Sequence, residues 1–446
     1  MPAPALARRL TRLDATLIVM GGIVGAGIFM NPAVVARMVP TPGLMLGAWL
    51  VGGAFALAGA FIYAELAARR PQVGGQYAYL REAFHPLVAF LYGWTLLLVS
   101  QSGGMAAVAM TFARYFRELT SAGVSDGLIA AIALVALTAI NCLGVRAGSN
   151  VQGTFMVLKV AAILVLVACG VLAADGAWGR VFTPPTAVLA SPVPPTVTEW
   201  TAFGAALVPV LFAYGGWQTA SFMAGELRDP RRDLAWGLLA GVIGVVVLYL
   251  AVNLACLRVL GAEGLAATTA PATAVMRAAL GEHGATLMAL GIVISTLGFL
   301  SQGLLTAPRA YFAMAADGLF FRRVAEIHPV TRVPVFAIGL QGLLATIIAL
   351  SGRYEQILGY VVAIDWVFFG LTAASLFVFR RRDAGAAPAG VGVPGHPVTT
   401  LLFVAGSWLV VANTTYRFPR EAAAGLGLLV AGIPAYLFWR RPGRPS

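Results

Sequence analysis

Lys159 is the only lysine among 446 residues, and it stands inside an apolar run from Phe155 to Ala168. The other 29 basic residues are arginines. Arginine therefore serves wherever a loop or a headgroup region needs positive charge, and position 159 needs something else. A lysine at the centre of a spanning helix costs roughly 2.5 to 3.5 kcal/mol on insertion scales, which makes a functional role its default reading. Its ammonium is a compact point charge that burial can deprotonate, whereas guanidinium stays charged. Such a group can stand in for a bound cation or carry a transported proton. The competing reading is a side chain reaching along its helix to the headgroups, but Lys159 lies about nine residues inside a run that begins near Asn150.

Two other segments offer backbone rather than side-chain chemistry. Residues 21–29 read Gly-Gly-Ile-Val-Gly-Ala-Gly-Ile-Phe, and residues 209–218 read Pro-Val-Leu-Phe-Ala-Tyr-Gly-Gly-Trp-Gln. Glycine is a poor helix former and proline deletes a backbone hydrogen bond, so both apolar runs are expected to break at membrane depth. Either set of glycines alone also suits close helix packing. Unwound backbone inside a bilayer is tolerated only where it lines a cavity or is buried in protein. Matching interruptions in two halves of a chain point to the substrate site of an inverted-repeat transporter. Enzyme chemistry has no comparable footing, because His85, His283, His328 and His396 are dispersed among loops. Cys142, Cys169 and Cys256 have neither disulfide nor zinc spacing.

The elements that must position these groups are transmembrane helices. At 59% hydrophobic and 11% charged, the chain lies far from soluble proteins, in which about a quarter of residues are charged. Windows of about 19 residues place twelve spans, at about 14–36, 43–67, 86–112, 127–144, 152–173, 200–225, 234–257, 285–312, 334–351, 356–379, 398–415 and 422–439. The net charge of +12 suggests nucleic acid until it is mapped onto those spans, where 20 of 29 arginines fall on one side. That asymmetry puts both termini in the cytoplasm and leaves no call for a nucleic-acid partner. No cleavable signal is expected before the first span.

The interrupted spans are the first and the sixth, each opening a set of five. This gives residues 1–174 as a first five-helix repeat, 175–199 as a Pro-rich external connection, and 200–383 as a second repeat. Residues 384–397, rich in Gly, Ala and Pro, read as a flexible cytoplasmic linker, and 398–446 hold two further helices and a tail. A short helix at the inner surface is expected over Asp317 to His328, which has helical apolar spacing and two arginines.

Five strings now become recognisable: 25–29 Gly-Ala-Gly-Ile-Phe, 63–66 Tyr-Ala-Glu-Leu, 74–79 Gly-Gly-Gln-Tyr-Ala-Tyr, 212–217 Phe-Ala-Tyr-Gly-Gly-Trp with Glu226 beyond, and Pro308 to Gly318. In this order they closely resemble the amino acid permeases of the amino acid-polyamine-organocation superfamily, nearest the L-type transporters and their bacterial relatives, from about Leu13 to Trp439. The resemblance implies an all-α polytopic fold of twelve transmembrane helices. Two inverted five-helix repeats with discontinuous helices 1 and 6 would surround a central site, with two peripheral helices outside.

It also implies the site. Backbone N–H groups around Gly25, Ala26 and Gly27, next to Ile23, would bind a substrate carboxylate at a helix end. Free carbonyls of Phe212, Ala213 and Tyr214 would accept from the α-ammonium. Phe212 would gate the pocket aromatically, with Trp217 and Gln218 as neighbours and Gly215 leaving side-chain space. Asp365, where eukaryotic L-type members carry asparagine, would read a substrate hydroxyl or amine, bind a proton, or pair internally. Lys159 would replace the sodium ion that ties the first span to the eighth, with Ser295, Ser301 and Tyr249 as candidate hydroxyl partners. The implied function is a sodium-independent amino acid transporter, an exchanger or proton-coupled, in a bacterial inner membrane. The alternative is a polyamine or amine carrier. Its expected partners are an amino acid and the lipid bilayer. No cofactor or metal is expected, and no disulfide-linked heavy subunit either, because Arg114 to Asp126 contains no cysteine.

Overall fold

A computed structural model describes residues 6–39, 41–121, 123–172, 195–351, 354–384, 391–417 and 419–440. They are almost wholly helical, and the only extended pairing among them is one parallel bridge between Leu10 and Leu227. Among the described residues, seven helices are long and apolar enough to cross a membrane, or eight when the bent pair α1 (Arg12–Ile23) and α2 (Gly27–Met38) counts as one span. Helices α7 (Asp126–Cys142) and α13 (Val335–Ser351) are apolar but shorter, at 17 residues each.

Local chemistry starts these helices where they start. Thr11 and Asp14 form a reciprocal capping box on α1, with the Thr11 N–H donating to Asp14 Oδ2 at 2.8 Å. Thr41 caps α3 (Pro42–Arg69), His85 caps α5 (Pro86–Thr95) and Asp229 caps α10 (Pro230–Ala267), and each of the three begins with the proline that follows its cap. After α4 (Gln76–Ala83) and α5, one π-helical stretch, Leu96–Gln101, leads into α6 (Ser102–Thr120). Such wide turns inside a helix often mark functional positions. Helix α8 (Val145–Leu172) carries Lys159 and packs extensively against α11 (Pro271–Thr306), which is kinked at Gly281.

The bundle has one strongly polar end. Glu65, buried near the end of α3, receives Arg69 at 2.8 Å, Arg380 at 2.6 Å and the Val393 N–H at 2.9 Å. Asp383 lies between Arg69 and Arg70, each 3.0 Å away, and the Arg70 guanidinium, with Arg69, holds its carboxyl below the usual carboxylate range. These contacts join α3 to the end of α14 (Tyr354–Arg382). Nearby, a fully buried ion pair links Glu226 to Arg309 of α12 (Pro308–Ala316) at 2.7 Å.

One expectation about a connection changes, and parts of two others lie outside the described residues. The helix expected over 317–328 does not form: α12 stops at Ala316, Gly318 takes φ +74°, and only one 3-10 turn, Arg322–Ala325, follows. Its apolar positions Leu319, Phe320 and Val324 instead pack inward. Of the linker expected over 384–397, residues 385–390 lie outside the described residues, while 391–397 are held to α3 through Val393 and Glu65. Most of the Pro-rich connection, 175–194, lies outside the described residues, and α9 (Pro195–Ala213) begins before position 200. Helices α15 (Val398–Arg417) and α16 (Pro419–Trp439) complete the chain order.

Candidate functional site

The first break falls between α1 and α2, whose axes differ by 44°. Helix α1 ends at Ile23, Val24 is extended at φ −74° and ψ 92°, and α2 resumes at Gly27 without a side-chain cap. A break leaves carbonyls unpaired on one side and N–H groups on the other. The carbonyls find partners within the protein. Lys159 Nζ donates to Val24 O at 2.6 Å and lies 3.5 Å from Gly21 O, while the Tyr249 hydroxyl donates to Ile23 O at 3.0 Å. The N–H groups of Gly25 and Ala26 meet no backbone acceptor among the described residues, and both residues line a cavity.

The second break follows α9. Pro209 weakens its last turn, the helix stops at Ala213, and Gly216 at φ +102° turns the chain into a 3-10 helix over Trp217–Glu226. Only glycine adopts that conformation without strain. Asn31 of α2 donates its amide to Pro209 O at 2.9 Å, and Tyr249 reaches Ala213 O at 3.2 Å. One tyrosine of α10 thus holds both breaks. At their crossing Gly22 faces Gly216 so closely that a methyl on Gly216 would come 2.1 Å from Gly22 O.

Between the breaks lies a cavity of about 350 Å³. It extends past Val34 of α2 and Thr111 of α6, and it is bounded on another side by α14. Of the residues expected to bind substrate, Ile23, Gly25, Ala26, Gly27, Phe212, Ala213, Gly215, Gln218 and Asp365 line it. Phe212 lines it with 46% of its surface exposed.

Tyr214 and Trp217 do not line it. The Tyr214 ring turns away to pack 5.8 Å from Trp49 and 5.1 Å from Tyr249, and Trp217 lies edge-on to Tyr63 at 4.7 Å and stacked on Phe369 at 5.8 Å. Both are wedges that brace the break from behind. The carbonyls expected to be free are also partly engaged: Phe212 O accepts from the Gly215 N–H at 3.1 Å, and Ala213 O from Tyr249. Each keeps a second lone pair.

Lys159 is fully enclosed and forms no part of the cavity wall. Its partners are the α1 carbonyls rather than the hydroxyls expected on α11. Ser295 and Ser301 are buried and reach no hydrogen-bond partner among the described residues. Helix α11 meets Lys159 through Gly298, where an added methyl would come 2.6 Å from Lys159 Cε. Tyr249 is bonded to the backbone of the breaks. The carbonyls at a broken helix end are the stronger acceptors, since the helix dipole makes that end negative.

Sequence reasoning missed several cavity residues. Ser100, in the π-helical stretch, donates to Asp365 Oδ1 at 2.6 Å. Gln302 of α11 donates to Thr219 at 2.6 Å, and Thr219 donates to Gly216 O at 2.7 Å. Phe299 closes over Gly25. The signal for Ser100 was present: residues 100–104 read Ser-Gln-Ser-Gly-Gly after the apolar run Leu96 to Val99. A cluster of polar and small residues inside a span marks a surface that does not face lipid.

Comparison with known proteins fits this geometry. A family model described as amino acid permease matches residues 10–431. The serine/threonine exchanger SteT of Bacillus subtilis (strain 168) is 30% identical over 97% of this chain and 96% of its own length. The human large neutral amino acids transporter small subunit 2 is 28% identical over 98% of this chain and 82% of its own length. The Asc-type amino acid transporter 1 of Mus musculus is likewise 28% identical over 98% and 82%. With a family match across nearly its whole length and relatives that are transporters rather than enzymes, the chain belongs to the amino acid permease family of the amino acid-polyamine-organocation superfamily.

Proposed function

We propose that this protein is a sodium-independent amino acid transporter that works by alternating access, as an exchanger or with protons. The observation that carries this reading is Lys159, fully enclosed with its Nζ 2.6 Å from Val24 O at the end of α1. A fixed ammonium there supplies the positive charge that a bound ion would otherwise bring to those carbonyls. Across the break, Gly25, Ala26 and Gly27 line the cavity at the start of α2, where their N–H groups and the helix dipole would favour a carboxylate. The carbonyls of Phe212, Ala213 and Tyr214 belong to the opposite break, where an α-ammonium would be held. The names of the relatives, exchangers and transporters of amino acids, support the substrate class.

The architecture that goes with this reading has twelve spans. Residues 1–174 and 200–383 form inverted repeats of five, joined by 175–199, and 384–397 leads to the last two helices in 398–446. The arginine asymmetry orients both termini inward in a bacterial cytoplasmic membrane. The polar end of the bundle, with Glu65, Arg380 and Asp383, then closes the cytoplasmic mouth, and the cavity belongs to an outward-facing form. The chain works without a disulfide-linked subunit.

Uptake of radiolabelled amino acids into proteoliposomes, without sodium and with the lumen empty or preloaded, tests the proposal. Uptake that requires internal amino acid identifies an exchanger, and accumulation in empty vesicles under an inward proton gradient identifies symport. Strict dependence on sodium would refute the role assigned to Lys159.

A further inference from the structure

Asp365 is the one ionisable side chain on the cavity wall among the described residues. Its Oδ1 is taken by the Ser100 hydroxyl at 2.6 Å, and no arginine, lysine or histidine pairs with it among the described residues. The internal ion pair that would make this carboxylate purely structural is therefore missing. Ser100 orients the group without neutralising it, and Oδ2 accepts no hydrogen bond among the described residues. Trp366, the next residue on α14, and Phe369, one turn on, line the same cavity with their rings perpendicular and 5.3 Å apart. Phe212 adds a third aromatic surface from α9. Aromatic faces beside a carboxylate attract an organic cation, through the ring quadrupole as well as through charge.

We propose that Asp365, oriented by Ser100 and walled by Trp366, Phe369 and Phe212, is a subsite for a side-chain ammonium, so that the substrate is a diamino acid. This rests on the proposed function and deepens it. The α-carboxylate and α-ammonium of an amino acid balance one another at the two breaks, so an ionised Asp365 would be the charge left over. A hydroxyl-bearing side chain can hydrogen-bond to Oδ2 but leaves that charge uncompensated in a site of low dielectric. A second ammonium compensates it. The α-carboxylate is still needed, which separates this substrate class from polyamines.

The test is competition in the full-length protein reconstituted in nanodiscs, using as probe the radiolabelled amino acid that binds best among a neutral and basic panel. L-Ornithine and L-norvaline share one carbon skeleton and differ in the terminal amine, and putrescine keeps that amine without the carboxylate. The wild type is expected to be displaced by ornithine at concentrations at least about tenfold below norvaline, with putrescine weaker than ornithine. Asp365→Asn, which preserves shape, is expected to bring the ornithine-to-norvaline ratio near one. Asp365→Glu, which restores the charge, is expected to recover part of the preference, and Ser100→Ala to lose part of it. A wild type that prefers norvaline, or an Asp365→Asn variant that keeps the ornithine preference, would overturn this proposal while leaving amino acid transport intact. Putrescine outcompeting ornithine would overturn the diamino acid assignment. Absence of any displaceable amino acid binding would overturn the proposed function along with it.

Discussion

Lys159 and Asp365 are both ionisable groups on apolar helices, yet Lys159 is sealed from the cavity and shared between two carbonyls of the first break, whereas Asp365 stands on the cavity wall with a serine as its one side-chain partner. A charge in a membrane span is costly in either place. The lysine repays that cost inside the protein, by satisfying a helix end that would otherwise present bare carbonyls. The aspartate satisfies no such helix end: one oxygen takes the Ser100 hydroxyl, and the group stands on the cavity wall. A charged group whose hydrogen bonds are all made inside the fold, out of reach of the cavity, serves the architecture of the site. One that keeps an oxygen free on a cavity wall is placed to meet a proton or a ligand from outside.

Removing the lysine should have the largest effect. Lys159→Ala leaves the Val24 and Gly21 carbonyls without their donor and is expected to lower stability by about 1 to 3 kcal/mol. Uptake should fall at least about tenfold. Lys159→Arg should not restore it, because the guanidinium fork is larger than the ammonium packed against Gly298. Thermal unfolding in detergent beside proteoliposome uptake checks both parts, and a fully active arginine variant would break the contrast at its lysine end.

Tyr249→Phe should come next, since it deletes the hydroxyl that joins Ile23 O to Ala213 O while keeping the ring against Trp49. The expected loss is about 1 kcal/mol of stability, together with slower exchange, read from the rate of efflux with and without external substrate. Asp365→Asn should change stability by less than about 1 kcal/mol, because only one hydrogen bond is altered. If its melting temperature instead drops as far as that of Lys159→Ala, the aspartate is architectural too. The smallest effects belong to Ser295→Ala and Ser301→Ala, each expected within about 0.5 kcal/mol of wild type with uptake still sodium-independent. Loss of uptake in either would show that α11 holds the lysine after all.

The two breaks were legible because their cause is local. Glycine clusters and Pro209 act on the backbone within a few residues, so the positions of the interruptions follow from the string itself. Lys159 was legible for a similar reason, as an improbable residue in an apolar run. What it touches was not. Whether its ammonium meets serines on α11 or carbonyls on α1 depends on how far the side chain reaches across three packed helices, and helical register alone does not resolve that. Trp217 was assigned to the pocket as a neighbour on a continuing helix, but the chain continues as a 3-10 helix from Trp217, which rotates side chains differently from an α-helix, and its ring lies behind the break. Ser100 faces Asp365 from a π-helical stretch whose extra width no hydrophobic period announces. The anchoring of Val393 on Glu65 joins residues 328 positions apart, beyond any local signal.

Gly22 and Gly216 touch backbone to backbone, with a methyl on Gly22 coming 2.6 Å from Gly216 O. The consequence is practical as well as mechanical. In the proposed alternating-access cycle this crossing, braced by Thr219 and Gln302, is where the two breaks would have to slide past one another. It is also the narrowest point at which to jam them. Gly22→Ala, whose own φ permits alanine, inserts a spacer between the breaks, and a carrier stalled in that way would give a homogeneous population for imaging one posture of the cycle.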